Sequence, residues 1–201
     1  MKFLLAIVLA ATAIGGTMNV QQVHKAPDYT LLATTPAGGK VELLPGDKAP
    51  DFTAETTTGA HISLHQYRGK ENVVLYFYPA DLSKGCSIEA CKFRDEHADF
   101  TKAHTVILGV SLQDRASHEK FTEEDKLNFP LLVDTNRALA NKYGVPIAFG
   151  KYDARWTFLI GKDGKIIDTF HNVDPNTHSV QLLAAIWTYN KEHANNKAHA
   201  K

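Results

Sequence analysis

The sequence predicts an α/β fold with a mixed central sheet flanked by helices on both faces. Three observations carry this. Two short runs, "NVVLYFY" (72–78) and "TVILGVS" (105–111), are rich in β-branched and aromatic residues and apolar on both sides, as strands inside a sheet must be. Helical segments alternate with them. A hairpin and a closing helix follow, which makes the sheet mixed in strand direction.

Taken from the start, Met1 and Lys2 are a short basic opening, Phe3 to Ala11 is an unbroken apolar run, and Ala11 and Ala13 give an A-x-A cleavage pattern. Residues 1–16 therefore read as a signal peptide. The apolar run ends at Ile14, short of the roughly 18 residues a spanning helix needs. The mature protein is expected to be exported, to a periplasm by default, without stable membrane insertion. The alternative is anchoring by an uncleaved N-terminus. Residues 17–42, with the breaker cluster "TTPAGGK", read as a linker or N-terminal extension. Residues 43–192 form one continuous domain, and 193–201 a solvated polar tail.

Within the domain, the first strand leads into a helix from Cys86 to Lys102, and the second into a helix from Ala116 to Asp125. A short strand, "PLLVD" (130–134), and a helix, "RALANKYG" (137–144), come next. "RWTFLIGKDGKIIDTF" (155–170) is a hairpin whose Asp163-Gly164 dipeptide suits a type I′ turn. The final helix, 177–192, is expected to bury Val180, Leu183, Ala184 and Trp187, with Trp156 and Trp187 in the core. This order is the thioredoxin-like plan. It puts Cys86 at the carboxyl end of a central strand, where reactive groups collect in open α/β sheets.

Acids and bases balance at 22 each, so nothing points to a nucleic-acid partner. Of the ten histidines, none stands at a metal-ligand spacing beside the cysteines, and two cysteines are too few for a closed metal site. No metal or cofactor is expected.

The two cysteines, Cys86 and Cys91, are i and i+5 on one helix. Helix geometry puts their Cα atoms roughly 8.6 Å apart, beyond the ~4.4–6.8 Å a disulfide spans. They are either two inert thiols or a pair that bonds only after the first turn unwinds. Cys86 has the reactive setting: the unpaired N–H groups of a helix start favour a thiolate. Pro79 turns the chain out of the strand, Gly85 lets backbone approach the sulfur, and the Ser83 hydroxyl can donate to the thiolate or to a bound oxygen. Cys91 faces another side and suits a second, resolving role.

"YPADLSKGC" fits the Pro-x-x-x-Thr/Ser-x-x-Cys pattern of the peroxiredoxins through Pro79, Ser83 and Cys86, with serine in place of the commoner threonine. The cysteine five positions on, in "GCSIEACKFRDE", resembles the Q-type, or bacterioferritin-comigratory-protein-like, branch. "PGDKAPDFT", "VSLQDRASHEKF", "LNFPLLVD" and "RWTFLIGKDGKI" extend the resemblance from about Leu43 to Asn190. It implies a monomeric thiol peroxidase. The Cys86 thiolate would attack hydrogen peroxide or an organic hydroperoxide, Cys91 would resolve the sulfenic acid, and a thioredoxin-like or other dithiol would reduce the disulfide. The family's arginine maps to Arg155, which would hold the thiolate and donate to the peroxide. Glu89 matches an acidic position of the branch, but a solvated helix carboxylate is the expectation, outside the catalytic set. His118 is expected to be structural and Tyr78 to be core. Two rival readings stand beside this one: a thiol–disulfide oxidoreductase acting on protein cysteines, although C-x-x-C is lacking, and a non-catalytic binding module on the same fold.

Overall fold

A computed structural model describes residues 42–171 and 173–199. The expected signal peptide, nearly all of the expected extension and the last two residues lie outside them.

The described chain opens with a small antiparallel pair, β1 (Thr53–Glu55) and β2 (His61–Ser63), and a single 3-10 turn, Leu64–Tyr67. The main sheet is built from β3 (Asn72–Phe77), β4 (Thr105–Ser111), β5 (Leu131–Val133), β8 (Trp156–Ile160) and β9 (Ile166–Phe170), in the order β5-β4-β3-β8-β9. β3, β4 and β5 run parallel, whereas β8 and β9 are antiparallel additions at the other edge. Between them lie α1 (Lys84–Asp95), α2 (His97–Lys102), α3 (Arg115–Glu124) and α4 (Ala138–Lys142), a two-residue pair β6 (Ile147–Ala148) and β7 (Tyr152–Asp153), and the closing α5 (His178–His199). The thioredoxin-like α/β plan holds.

Alternation along β3 divides the core in two, because successive side chains point to opposite faces. Val73, Leu75 and Phe77 pack with Leu64, Leu139 and Tyr143 under α4 and the β1–β2 pair. Val74, Tyr76 and Tyr78 pack with Phe93 of α1, Phe100 of α2, Phe121 of α3, and Leu182 and Ile186 of α5. The sheet is thus covered on both faces.

Several details differ from the sequence reading. The helix expected from Cys86 to Lys102 begins two residues earlier, at Lys84. It breaks at Glu96 (φ −96°, ψ 6°), where Asn128 Nδ2 donates to the Arg94 carbonyl at 3.1 Å. The β8–β9 turn is not type I′. Gly161 N donates to Lys165 O and Gly164 N to Gly161 O, both at 2.8 Å, and only Gly164 has a positive φ (+78°). That is a three-residue loop with one left-handed glycine. α5 buries His178, Ser179, Leu182 and Ile186, while Val180 and Trp187 are 60% and 52% exposed and Ala184 is exposed. Between Val180 and Trp187 only Gln181 is polar, so periodicity could not choose the buried face there. The docking of His178 against Thr157 Oγ1 (2.9 Å) sets it. α5 also runs on to His199, so residues 193–199 of the expected tail are helical. Trp156 is only half-buried and stacks on His171 at 3.5 Å between ring centroids.

Candidate active site

The site forms where β3 ends and α1 begins. Ser83 is the N-cap of α1, extended at φ −73° and ψ 144°, and its hydroxyl makes no capping bond. The first N–H to reach back is that of Ser87, to Ser83 O at 2.9 Å. The N–H groups of Lys84, Gly85 and Cys86 therefore leave the helix start without a partner in the turn, as helix geometry requires. They make a cradle for negative charge. Cys86 lies in this turn, 1% exposed.

Arg155 arrives from the other side of the sheet edge. The register Phe77↔Trp156 sets it across from the end of β3. Its Nη2 donates to Cys86 Sγ at 3.2 Å, and its Nη1 donates to Glu89 Oε2. Gly85 makes the approach feasible, because a Cβ there would meet Arg155 Nη2 at 3.3 Å. The guanidinium thus spans a sulfur and a carboxylate, a use of its fixed fork that lysine could not reproduce.

Glu89 corrects the sequence reading. It is 1% exposed, not solvated, and its Oε1 is buried without a partner. Burial pushes its pKa up to about 7 against the pull of Arg155. The signal was present in its spacing. At i+3 from Cys86 it lies about 60° round the helix from the sulfur, whereas Cys91 at i+5 lies about 140° away. What the spacing could not reveal is the arginine 66 positions away in sequence that takes the carboxylate into the interior.

Cys91 is half-buried, and both thiols are free. Burial raises the Cys91 pKa above its ordinary value; Asp125 and Asp95 add to this and Arg94 opposes it. The second sulfur is thus kept protonated in a different environment, toward the α3–β5 turn. With α1 intact, the i, i+5 separation leaves the pair too far apart to bond.

Pro79 follows β3 in trans and is half-buried on the loop that leads to the cysteine. Arg155, Glu89 and Cys86 meet by direct contact, Ser83 and Pro79 border the same loop, and Cys91 stands apart. His118 is fully buried, as expected of a structural residue, and Tyr78 is core with its hydroxyl on Asp81 at 2.7 Å. Among the described residues, no group of three or more His, Cys, Asp or Glu side chains could hold a metal ion.

Comparison with known proteins is consistent with this geometry. The model of the AhpC/TSA family matches residues 45–169. Peroxiredoxin Bcp of Bacillus subtilis is 40% identical over 134 residues, covering 64% of this chain and 85% of that protein. A chloroplastic peroxiredoxin Q of Oryza sativa subsp. japonica is 39% identical over 127 residues, which cover 62% of this chain but 58% of the rice protein. The crystal structure of peroxidoxin BcpB from Mycobacterium tuberculosis superposes with a TM-score of 0.69 at 31% identity, covering 73% of this chain and 98% of that one.

Proposed function

The chain belongs to the AhpC/TSA family and is a thiol peroxidase of the peroxiredoxin kind, and from that premise we propose that Cys86 is the peroxidatic residue and Cys91 its resolving partner. The observation that carries the assignment is the guanidinium of Arg155 on Cys86 Sγ at 3.2 Å, at a helix start. In this reading the Cys86 thiolate attacks one oxygen of a hydroperoxide. The O–O bond breaks, the sulfur takes that oxygen as a sulfenic acid, and the other oxygen leaves as hydroxide or alkoxide and is protonated. Negative charge grows on the peroxide as the bond stretches. Arg155 and the free N–H groups of the first turn are fixed donors beside that charge, and the Ser83 hydroxyl, which makes no cap bond, is available as a further donor. Pro79 shapes the loop that shields the sulfur from water.

The first turn of α1 then unwinds and the Cys91 thiol attacks the sulfenic sulfur. An S–S bond forms and one water leaves. A dithiol reductant, thioredoxin-like or otherwise, restores both thiols by exchange. Burial of Cys86 to 1% exposure favours a small peroxide over a protein disulfide as its partner, which weighs against the oxidoreductase alternative. We further propose that the enzyme acts as a monomer and is exported through cleavage after the apolar start at residues 1–16, with an uncleaved anchor as the alternative. Mass analysis of the N-terminus of the cell-derived protein separates these two.

The deciding experiment is peroxide consumption with a dithiol donor by the wild type and by Cys86→Ser. Loss of turnover in the variant supports the assignment; turnover at the wild-type rate rejects it.

A further inference from the structure

The loop between β3 and α1 is held from outside its own segment. The Asp81 carboxylate accepts from Tyr78 Oη at 2.7 Å, from Ser117 Oγ at 2.6 Å and from His118 Nδ1 at 2.9 Å. His118 Nε2 faces the Leu132 carbonyl at 3.2 Å. A carbonyl only accepts, so the ring presents an N–H to Leu132 on one side and meets the Asp81 carboxyl on the other. The two side chains are 2% and 0% exposed. One buried hydrogen-bond network therefore ties the loop to α3 and to β5. Immediately after it, Leu82 sits at φ +55°, a left-handed conformation that side chains other than glycine adopt only under constraint. Ser83 and the Cys86 turn follow directly.

We propose that Asp81 and His118 are positioning residues: their buried contact holds the Pro79–Ser83 loop in its strained shape over Cys86, and so sets how oxidised Cys86 divides between Cys91 and a second peroxide. This rests on the function proposed above. Cys86 sulfenic acid has two fates. Attack by the Cys91 thiol forms the disulfide and releases water, and it requires the first turn to be open. Attack on a second hydroperoxide transfers one oxygen to the sulfur, giving a sulfinic acid and an alcohol or water, and it requires the closed pocket. Only groups that differ between the closed and open states can bias the division. The Asp81–His118 pair anchors the closed one, with Leu82 as the strain it restrains.

The test uses Asp81→Asn and His118→Gln, both near in shape to the originals, in the full chain. Each is oxidised at a fixed excess of hydrogen peroxide, and the ratio of sulfinic acid to disulfide is read by mass. The expected result is a ratio lowered about tenfold, a slower first oxidation, and a double variant no further changed than either single one, since both act through one contact. Asp134→Asn is the control for plain loss of stability. It weakens the α4 cap at Leu139 N and Ala140 N on the other face of the sheet, and it is expected to leave the ratio unchanged. Folded single variants with the wild-type ratio overturn the proposal, as does an equal shift in Asp134→Asn. Should Asp81→Asn fail to fold, Ser117→Ala, which deletes one donor to the same carboxylate, decides in its place: a lowered ratio upholds the clamp and an unchanged one overturns it. A wild type that forms neither product refutes the parent function, whereas one that forms both while the variants match it refutes only the clamp.

Discussion

Replacing Arg155 with glutamine keeps a planar amide but removes the charge and the fork. A guanidinium at 3.2 Å from a thiolate interacts with it by about 5 kcal/mol at an effective dielectric of ~20. Water and the helix-start N–H groups would replace part of that. Loss of one fixed donor to developing charge typically slows turnover about 10²- to 10³-fold, and that is the expected fall in the second-order rate of Cys86 oxidation. The variant also leaves the Glu89 carboxyl buried at 1% exposure without its cation, so it loses stability as well as rate. Arg155→Gln combined with Glu89→Gln separates the two, because the uncompensated acid is gone: stability recovers and the rate does not. Stopped-flow fluorescence provides the assay, with half-buried Trp156, next in sequence to Arg155, as reporter. An Arg155→Gln variant that reacts within about threefold of wild type, well inside the range for a lost donor, refutes the reasoning.

Other expectations follow from the same geometry. Cys91→Ser should react once at an undiminished rate and then gain oxygen on Cys86 without forming an intramolecular disulfide, as intact mass will show. Glu89 has a folded pKa raised from 4.5 to about 7, so the folded state binds its proton more tightly than the unfolded chain does. The stability this gives is present below about pH 4.5 and is lost as pH rises toward 7. Glu89→Gln should therefore gain in melting temperature over wild type as pH is raised across that window; a constant difference counts against the buried acid. Gly109→Ala would set a Cβ at 2.7 Å from Leu131 Cδ2 and 2.8 Å from Tyr76 Oη. Overpacking of that kind costs about 1–3 kcal/mol and should appear as a lowered denaturation midpoint.

The strands were legible because β3 and β4 are buried on both faces, and the Cys86 turn because proline, serine, glycine and cysteine stand close together in sequence. What escaped depended on partners distant in sequence. Glu89 reads as a surface acid until Arg155 is brought to it. The exposed face of α5 could not be chosen because residues 180–187 are apolar except for Gln181, and a buried histidine turned it. The Asp163-Gly164 pair signals a turn, but its type follows from the pairing of Gly161 with Lys165. Asp81 drew no notice because an aspartate in a loop is ordinary until His118, 37 residues on, closes over it.

Whether the first turn of α1 (Lys84–Asp95) must unwind for Cys86 to reach Cys91 is decided by hydrogen–deuterium exchange of that helix before and after one equivalent of peroxide. Slow exchange is expected in the reduced protein and fast exchange from Lys84 toward Phe93 once Cys86 and Cys91 are joined. A disulfide formed while those amides keep their protection, or no disulfide at all, contradicts it.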